Sequence, residues 1–146
     1  MTAAEKLDWA IKTCRKAGLR RTHSLTLVLT RLAEQDLPIP VADLVADPDL
    51  KDSHDKATVY RILGRLDELG LVRRVGLHER SAAYALHVPN QHHDYLICTA
   101  CGTMSGLPGD CPVGPLTTRL QKNIGFQVTR HEMILWGTCA KCSPAG

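Results

Sequence analysis

Cys98-Thr-Ala-Cys101-Gly102 and Cys139-Ala-Lys-Cys142 place four thiols in two pairs, each with two residues between its members. That spacing lets both sulfurs of a pair reach one ion, and two pairs supply the four thiolates of tetrahedral zinc at about 2.3 Å per bond. Gly102 permits a tight turn directly after the first pair. An all-thiolate site leaves no coordination position for water, so its role is to hold a fold and not to carry out a reaction. The separation between the pairs is long for a single finger, so they bracket a small domain of sheet and helix. Free buried thiols and a redox pair are the rival readings. Of the remaining cysteines, Cys14 falls on the apolar face of a helix and belongs in a core. Cys111 lies in a Pro/Gly loop beside Asp110 and reads as an ordinary loop cysteine, with an extra metal ligand or a redox-active thiol as alternatives.

Histidine supplies the second chemistry. His78, His87, His92, His93 and Asp94 gather in one stretch, with His131-Glu132 further on. Along a strand His92 and Asp94 alternate onto one face, and His93 and Tyr95 take the other, so two different sites could share it. His78, in a hairpin loop, and His87, at the end of the following strand, could converge with His93 on an exchangeable regulatory ion. Surface histidines without a role are the alternative.

These residues need elements to position them. Residues 3–17 read as a helix, with Leu7, Ala10, Ile11 and Cys14 on one face, stopped by Gly18. Thr22 can cap a second helix running to about Ala33. After the break at 36–40 a short helix spans about Val41 to Ala46, and Asp47-Pro48 ends it. Ser53 or Asp55 can cap the next helix, where Val59, Ile62, Leu63, Leu66 and Leu69 form one apolar stripe and Gly70 closes the C-terminus. Thr58, Arg61 and Arg65 occupy its outer side, with Tyr60 at the margin. Residues 71–75 and 82–86 are two short strands joined by the loop 76–81. Helices followed by a basic hairpin describe a winged helix-turn-helix, and Arg61 and Arg65, one turn apart, can reach base edges or phosphates in a major groove. Val88-Pro89-Asn90 reads as a hinge. Beyond it, Tyr95–Cys98 and about Thr103–Leu107 are strand-like, 108–115 is loop, 116–124 is helix ending at Gly125, and 126–136 is strand-rich.

Bulk properties narrow the classes. A 146-residue chain with 44% hydrophobic and 23% charged residues can build one ordinary domain or two small ones. Most of its 18 Lys and Arg fall in the first 89 residues, where Arg15, Lys16, Arg20 and Arg21 cluster, as do Arg61, Arg65, Arg73, Arg74 and Arg80; acids lie between them, so the basic face is local. No apolar run is long enough to cross a bilayer, and the N-terminus does not read as a signal peptide, so the expected location is cytoplasmic. Six cysteines in that compartment point to metal before disulfides. An enzyme is not expected: there is no His-Glu-x-x-His motif, no glutamate placed as in a zinc deaminase and no nucleophile elbow.

The strings ATVYRIL, QHHDYLICTACG and CAKC occur in this order over nearly the whole chain. Together they resemble the ferric uptake regulator family. The resemblance implies an α+β protein. A winged-helix DNA-binding domain would span 1–87, a hinge 88–92, and a small α/β dimerisation domain with the four-cysteine zinc site 93–146. It implies a homodimer on pseudo-palindromic, AT-rich double-stranded operators, with Tyr60 and Arg61 contacting DNA; Thr58 and Arg65, on the same outer face, are expected to join them. It also implies a second divalent ion at the hinge that fixes the DNA-binding domains for docking. The histidine run departs from the family pattern: Gln91 and Tyr95 stand where histidines are usual. A further family site would use His92, Asp94 and His131, but residues 113–124 offer no acid to complete it, so that site is expected to lack its fourth ligand. His78, His87 and His93 form the better-preserved site. Three neutral imidazoles suit zinc and borderline ions, and the ending GTCAKC looks closest to the zinc-uptake branch. The expectation is a zinc-sensing repressor of metal-uptake genes; a peroxide-, iron- or manganese-sensing repressor of the same family is the alternative.

Overall fold

The computed structural model describes residues 1–53, 55–76 and 82–144. His78 and Arg80 lie outside these residues, as does the tip of the hairpin loop. The chain divides into two compact units, Met1–Pro89 and Asn90–Gly146.

The first unit runs α1 (Ala3–Lys16), α2 (His23–Ala33), β1 (Ile39–Pro40), α3 (Val41–Ala46), α4 (Pro48–Ser53), α5 (Lys56–Glu68), β2 (Val72–Val75) and β3 (Ala83–Leu86). Local chemistry sets the ends. Thr2 and Glu5 form a reciprocal capping box at the start of α1. Thr22 caps α2 by accepting the Leu25 N–H at 3.1 Å. Asp55, not Ser53, caps α5: its Oδ1 accepts the Thr58 N–H at 2.8 Å. At the other end Gly70 takes φ +69°, which lets the Leu71 N–H turn back to the Leu66 carbonyl at 2.9 Å. The apolar stripe of α5 packs as its spacing requires, with Val59, Leu63 and Leu66 fully buried in one core with Val28, Leu29 and Leu32 of α2, and Ile62 and Leu69 at its edge. Cys14 is in the same core.

Two elements of the first unit depart from the sequence reading. Asp47-Pro48 ends α3 but also starts α4. Asp47 Oδ1 accepts the Asp49 N–H at 3.0 Å, and Pro48 takes the first helical position, where its missing N–H costs nothing. Arg31 then fixes this start to α2, donating from Nε to Asp47 Oδ2 at 2.6 Å and from Nη2 to Asp49 Oδ2 at 2.5 Å. The second is β1, a two-residue strand that the prolines of 36–40 obscured; it forms an edge of the order β1-β3-β2, where Pro40 needs no ladder donor. β2 and β3 pair antiparallel, Val72 opposite Leu86 and Val75 opposite Ala83, and form the stem of the wing.

The second unit runs β4 (Tyr95–Cys98), β5 (Met104–Gly106), α6 (Val113–Ile124) and β6 (Ile134–Gly137). Its sheet has the order β5-β4-β6, with β4 antiparallel to β5 and parallel to β6. Helix α6 begins at Val113, three residues earlier than its composition suggests, and ends on Gly125 at φ +67°. Residues 126–133 are not strand; only Ile134–Gly137 is. The apolar residues of 126–136 alternate too weakly, and Arg130-His131-Glu132 interrupts them.

Candidate metal centres and nucleic-acid interface

The parallel pairing of β4 and β6 decides where the metal-ligating residues meet. In this register Tyr95 faces Ile134 and Cys98 faces Gly137. The first cysteine pair thus leaves the end of β4 beside the second, leaving the end of β6. The Thr99 N–H closes the junction on the Gly137 carbonyl at 2.8 Å. Gly102, at φ +77°, turns the chain so that its N–H reaches the Cys98 carbonyl at 2.9 Å. Cys98, Cys101, Cys139 and Cys142 converge, their sulfurs all within 4.8 Å of one another. Cys101 Sγ and Cys139 Sγ stand 3.8 Å apart, matching the edge of about 3.8 Å that a tetrahedron with bonds of about 2.3 Å requires.

The electrostatics of the cluster call for a cation. The Cys139 and Cys101 N–H groups donate to Cys98 Sγ at 3.3 and 3.5 Å, and they lower its thiol to about 6. Thr103 lowers Cys101, its Oγ1 lying 3.1 Å from the sulfur. Cys142 is pushed up to about 12, since its proton is shared with Cys139 and Cys101. Four thiolates cannot coexist here without a divalent ion, and the residues present fit zinc. A pH dependence follows. Near neutrality Cys98 is already a thiolate, whereas the Cys142 proton must be displaced on binding; each displaced proton costs roughly tenfold in affinity per pH unit. Below about 6 Cys98 also takes up a proton. Zinc affinity, measured by chelator competition corrected for the chelator's own protonation, is expected to fall as pH falls, and to fall more steeply below about 6. A flat profile contradicts this ordering of the thiols.

The same register extended backwards brings His92 beside His131, with ring centroids 5.4 Å apart. Asp94 is buried between them: its Oδ2 lies 3.6 Å from His131 Nε2 and 4.0 Å from His92 Nδ1. The antiparallel ladder to β5 continues one step, with the Leu107 N–H on the Asp94 carbonyl at 3.0 Å. The loop that follows returns Cys111 to this point, its Sγ 3.2 Å from His131 Nε2 and 3.5 Å from Asp94 Oδ2. His92, Asp94, Cys111 and His131 form a second cluster with all ligand atoms within 4.8 Å. Where the sequence reading found no fourth ligand and took Cys111 for an ordinary loop cysteine, the structure sets the Cys111 thiol beside His92, Asp94 and His131. The atom this loop adds to the cluster is a sulfur placed just before α6, not a carboxylate within it. Two imidazoles, a carboxylate and a thiol fit a four-coordinate borderline ion.

His93 turns away from this cluster, with Nδ1 3.1 Å from Tyr95 Oη. His87 follows β3 in the first unit, its N–H on the Leu71 carbonyl at 2.8 Å. On α5, Thr58 Oγ1 donates to Asp55 Oδ1 at 2.6 Å and accepts from Arg61 Nη2 at 3.1 Å. Arg65 pairs with Glu68 at 3.0 Å. Tyr60 is exposed, with Lys56 Nζ 5.9 Å from its ring centroid. This exposed face, cationic and carrying one aromatic ring, sits over a complete apolar face on the helix that precedes the wing.

A winged-helix unit followed by a sheet unit with two clusters of metal-ligand side chains is the pattern of a metalloregulator. The sequence model of the ferric uptake regulator family matches residues 16–136. The chain belongs to that family, whose members are metal-responsive transcription regulators and not enzymes. It is 31% identical over 129 residues to the ferric uptake regulation protein of Shigella flexneri, covering 87% of this chain and 86% of that one. Among solved structures it resembles the Vibrio cholerae ferric uptake regulator, with 27% identity, a TM-score of 0.69, and 88% and 98% of the two chains covered. It also resembles a zinc uptake regulator complexed with zinc and DNA, with 28% identity, a TM-score of 0.59, and 97% and 95% covered. No helix among the described residues is long and apolar enough to cross a membrane.

Proposed function

We propose that this regulator is a zinc-responsive repressor of metal-uptake genes, acting as a homodimer on double-stranded DNA. The observation that carries the choice of metal is Cys111 in the second cluster. A thiolate beside two imidazoles favours zinc over the hard, oxygen-preferring ions. The likeness to the DNA-bound zinc uptake regulator supports the same choice. The names of relatives such as the Shigella flexneri protein favour iron as the second reading.

Cys98, Cys101, Cys139 and Cys142 would keep the second unit folded. His92, Asp94, Cys111 and His131 would hold an exchangeable ion, and His78, His87 and His93 another. Zinc held there would favour the DNA-binding state, because an ion shifts an equilibrium only by its unequal affinity for the states. Thr58, Tyr60, Arg61 and Arg65 would face the operator. Homodimerisation is supported by the second unit's exposed apolar residues. Leu116 and Ile124 of α6, Phe126, Leu135 and Trp136 are all at least 43% exposed, and no residue of α6 is buried.

Operator-fragment affinity, measured with free zinc, iron(II) or manganese(II) buffered from chelated to micromolar, tests the proposal. Zinc is expected to raise affinity at least tenfold at free concentrations where the other ions do nothing. His87→Ala, and separately His92→Ala, is expected to shift that response to higher zinc while leaving the tightly held zinc in place. Iron(II) acting alone under anaerobic conditions overturns the zinc reading.

A further inference from the structure

Cys111 is the one sulfur in a site otherwise built of nitrogen and oxygen donors, and it brings a second chemistry. The cluster is more than a chance neighbour of a thiol. Asp94 is only 8% exposed, its Oδ2 faces Cys111, His131 and His92, and its Oδ1 has no hydrogen-bond partner among the described residues. A buried carboxylate left short of partners is costly unless a cation completes it. Cys111 itself is half-buried, while Cys14 lies in the core with burial pushing its thiol up. Of these two thiols outside the four-cysteine centre, Cys111 alone is within reach of a small solute.

We infer that Cys111 makes the second cluster an oxidant-gated metal site, in which a hydroperoxide and the ion compete for the same sulfur. The inference rests on the reading of His92, Asp94, Cys111 and His131 as a metal site. The Cys111 thiolate attacks one oxygen of a hydroperoxide: an S–O bond forms, the O–O bond breaks, and hydroxide leaves with the electron pair. Sulfur is oxidised by two electrons to sulfenic acid and the peroxide is reduced. The sulfenic acid is a weak ligand, so the site drops from four strong donors to three and releases its ion. A low-molecular-weight thiol condenses with the sulfenic acid to give a mixed disulfide and water, and a second thiol exchange restores Cys111. His131 and Asp94 alone cannot provide this, because neither changes its donor strength under mild oxidant.

The full chain with zinc in the four-cysteine centre is titrated with cobalt(II). The second site is expected to bind one cobalt per chain with a near-ultraviolet thiolate-to-cobalt charge-transfer band. Stoichiometric hydrogen peroxide should abolish the band and release one cobalt for each Cys111 sulfenate trapped and identified by mass spectrometry, with the zinc retained. A Cys111→Asp chain should bind cobalt without the band and release at least tenfold less under the same peroxide. Cobalt retained in the wild type after Cys111 is fully oxidised, or lost equally from Cys111→Asp, overturns the gate while leaving the metal site standing. A wild-type chain that takes up no cobalt with a thiolate band while Cys111 is reduced overturns the metal site itself, and the gate with it.

Discussion

Cys98→Ser is expected to unfold the unit Asn90–Gly146 while the first unit stays folded. The physical reason is the poverty of the second unit's own core. Among the described residues, its buried apolar side chains are Tyr95, Ile97 and Cys98, whereas the first unit buries leucines and valines from most of its helices. A segment this short, with so little buried surface, usually needs a metal or a partner to offset its chain entropy. Zinc bound by four thiolates supplies on the order of 10 kcal/mol of folding free energy in small domains. Cys98 is also the acceptor that orients the Cys101 and Cys139 amides, so its loss removes a ligand and the scaffold of both turns together. Metal analysis should show the tightly held zinc gone. Hydrogen exchange should show the amides of β4 and β6 unprotected, with those of α2, α5 and β3 still slow. The apolar faces of α6 and β6 lose their support in the same event, so the self-association proposed through them should be lost as well. Protection of β4 and β6 in the zinc-free variant contradicts this account.

The four-cysteine centre was legible because its signal is local: two residues between cysteines let each pair share an ion whatever the rest of the chain does. α5 was legible for the same reason, its stripe, Asp55 and Gly70 all lying in or beside one helix. The second cluster was only half legible. His92 and Asp94 alternate along the chain, but Cys111 joins them through two non-local events, the β4–β5 ladder running on to Leu107 and the return of the following loop. The family pattern points to an oxygen donor on α6 as the fourth ligand, and the structure supplies sulfur ahead of it. A usable signal was present: a cysteine two residues before a helix that lacks the expected acid. α4 was hidden because Asp-Pro is both a stop and a start. Only the hydrogen bonds from Asp49 and Arg31 to Asp47 show that it acts as both.

Arg61→Ala is expected to weaken operator binding more than any other single change on the exposed face of α5, and to do so selectively. Arg61 is held through Thr58 to Asp55, the residue that caps the helix. That chain restrains a long side chain before it meets DNA, so less entropy is lost on binding. A bidentate hydrogen bond from arginine to a base edge is worth about 1–3 kcal/mol of discrimination, and the proposed dimer would make it twice, so the expected loss is roughly 2–6 kcal/mol, or about 30-fold to 10⁴-fold. Arg65 differs: it is already paired with the exposed Glu68, and it must give up that pair, worth at most about 1 kcal/mol, to reach a phosphate. Arg65→Ala should therefore lower affinity for all duplexes alike and reduce the slope of log affinity against log salt by about 1 for each phosphate left without its arginine. Fluorescence anisotropy on an operator selected from random duplexes, and on single-position variants of it, separates the two. If Arg61→Ala instead weakens selected and unselected duplexes equally, Arg61 touches the backbone, and reading of the sequence passes to Tyr60 and to residues outside α5.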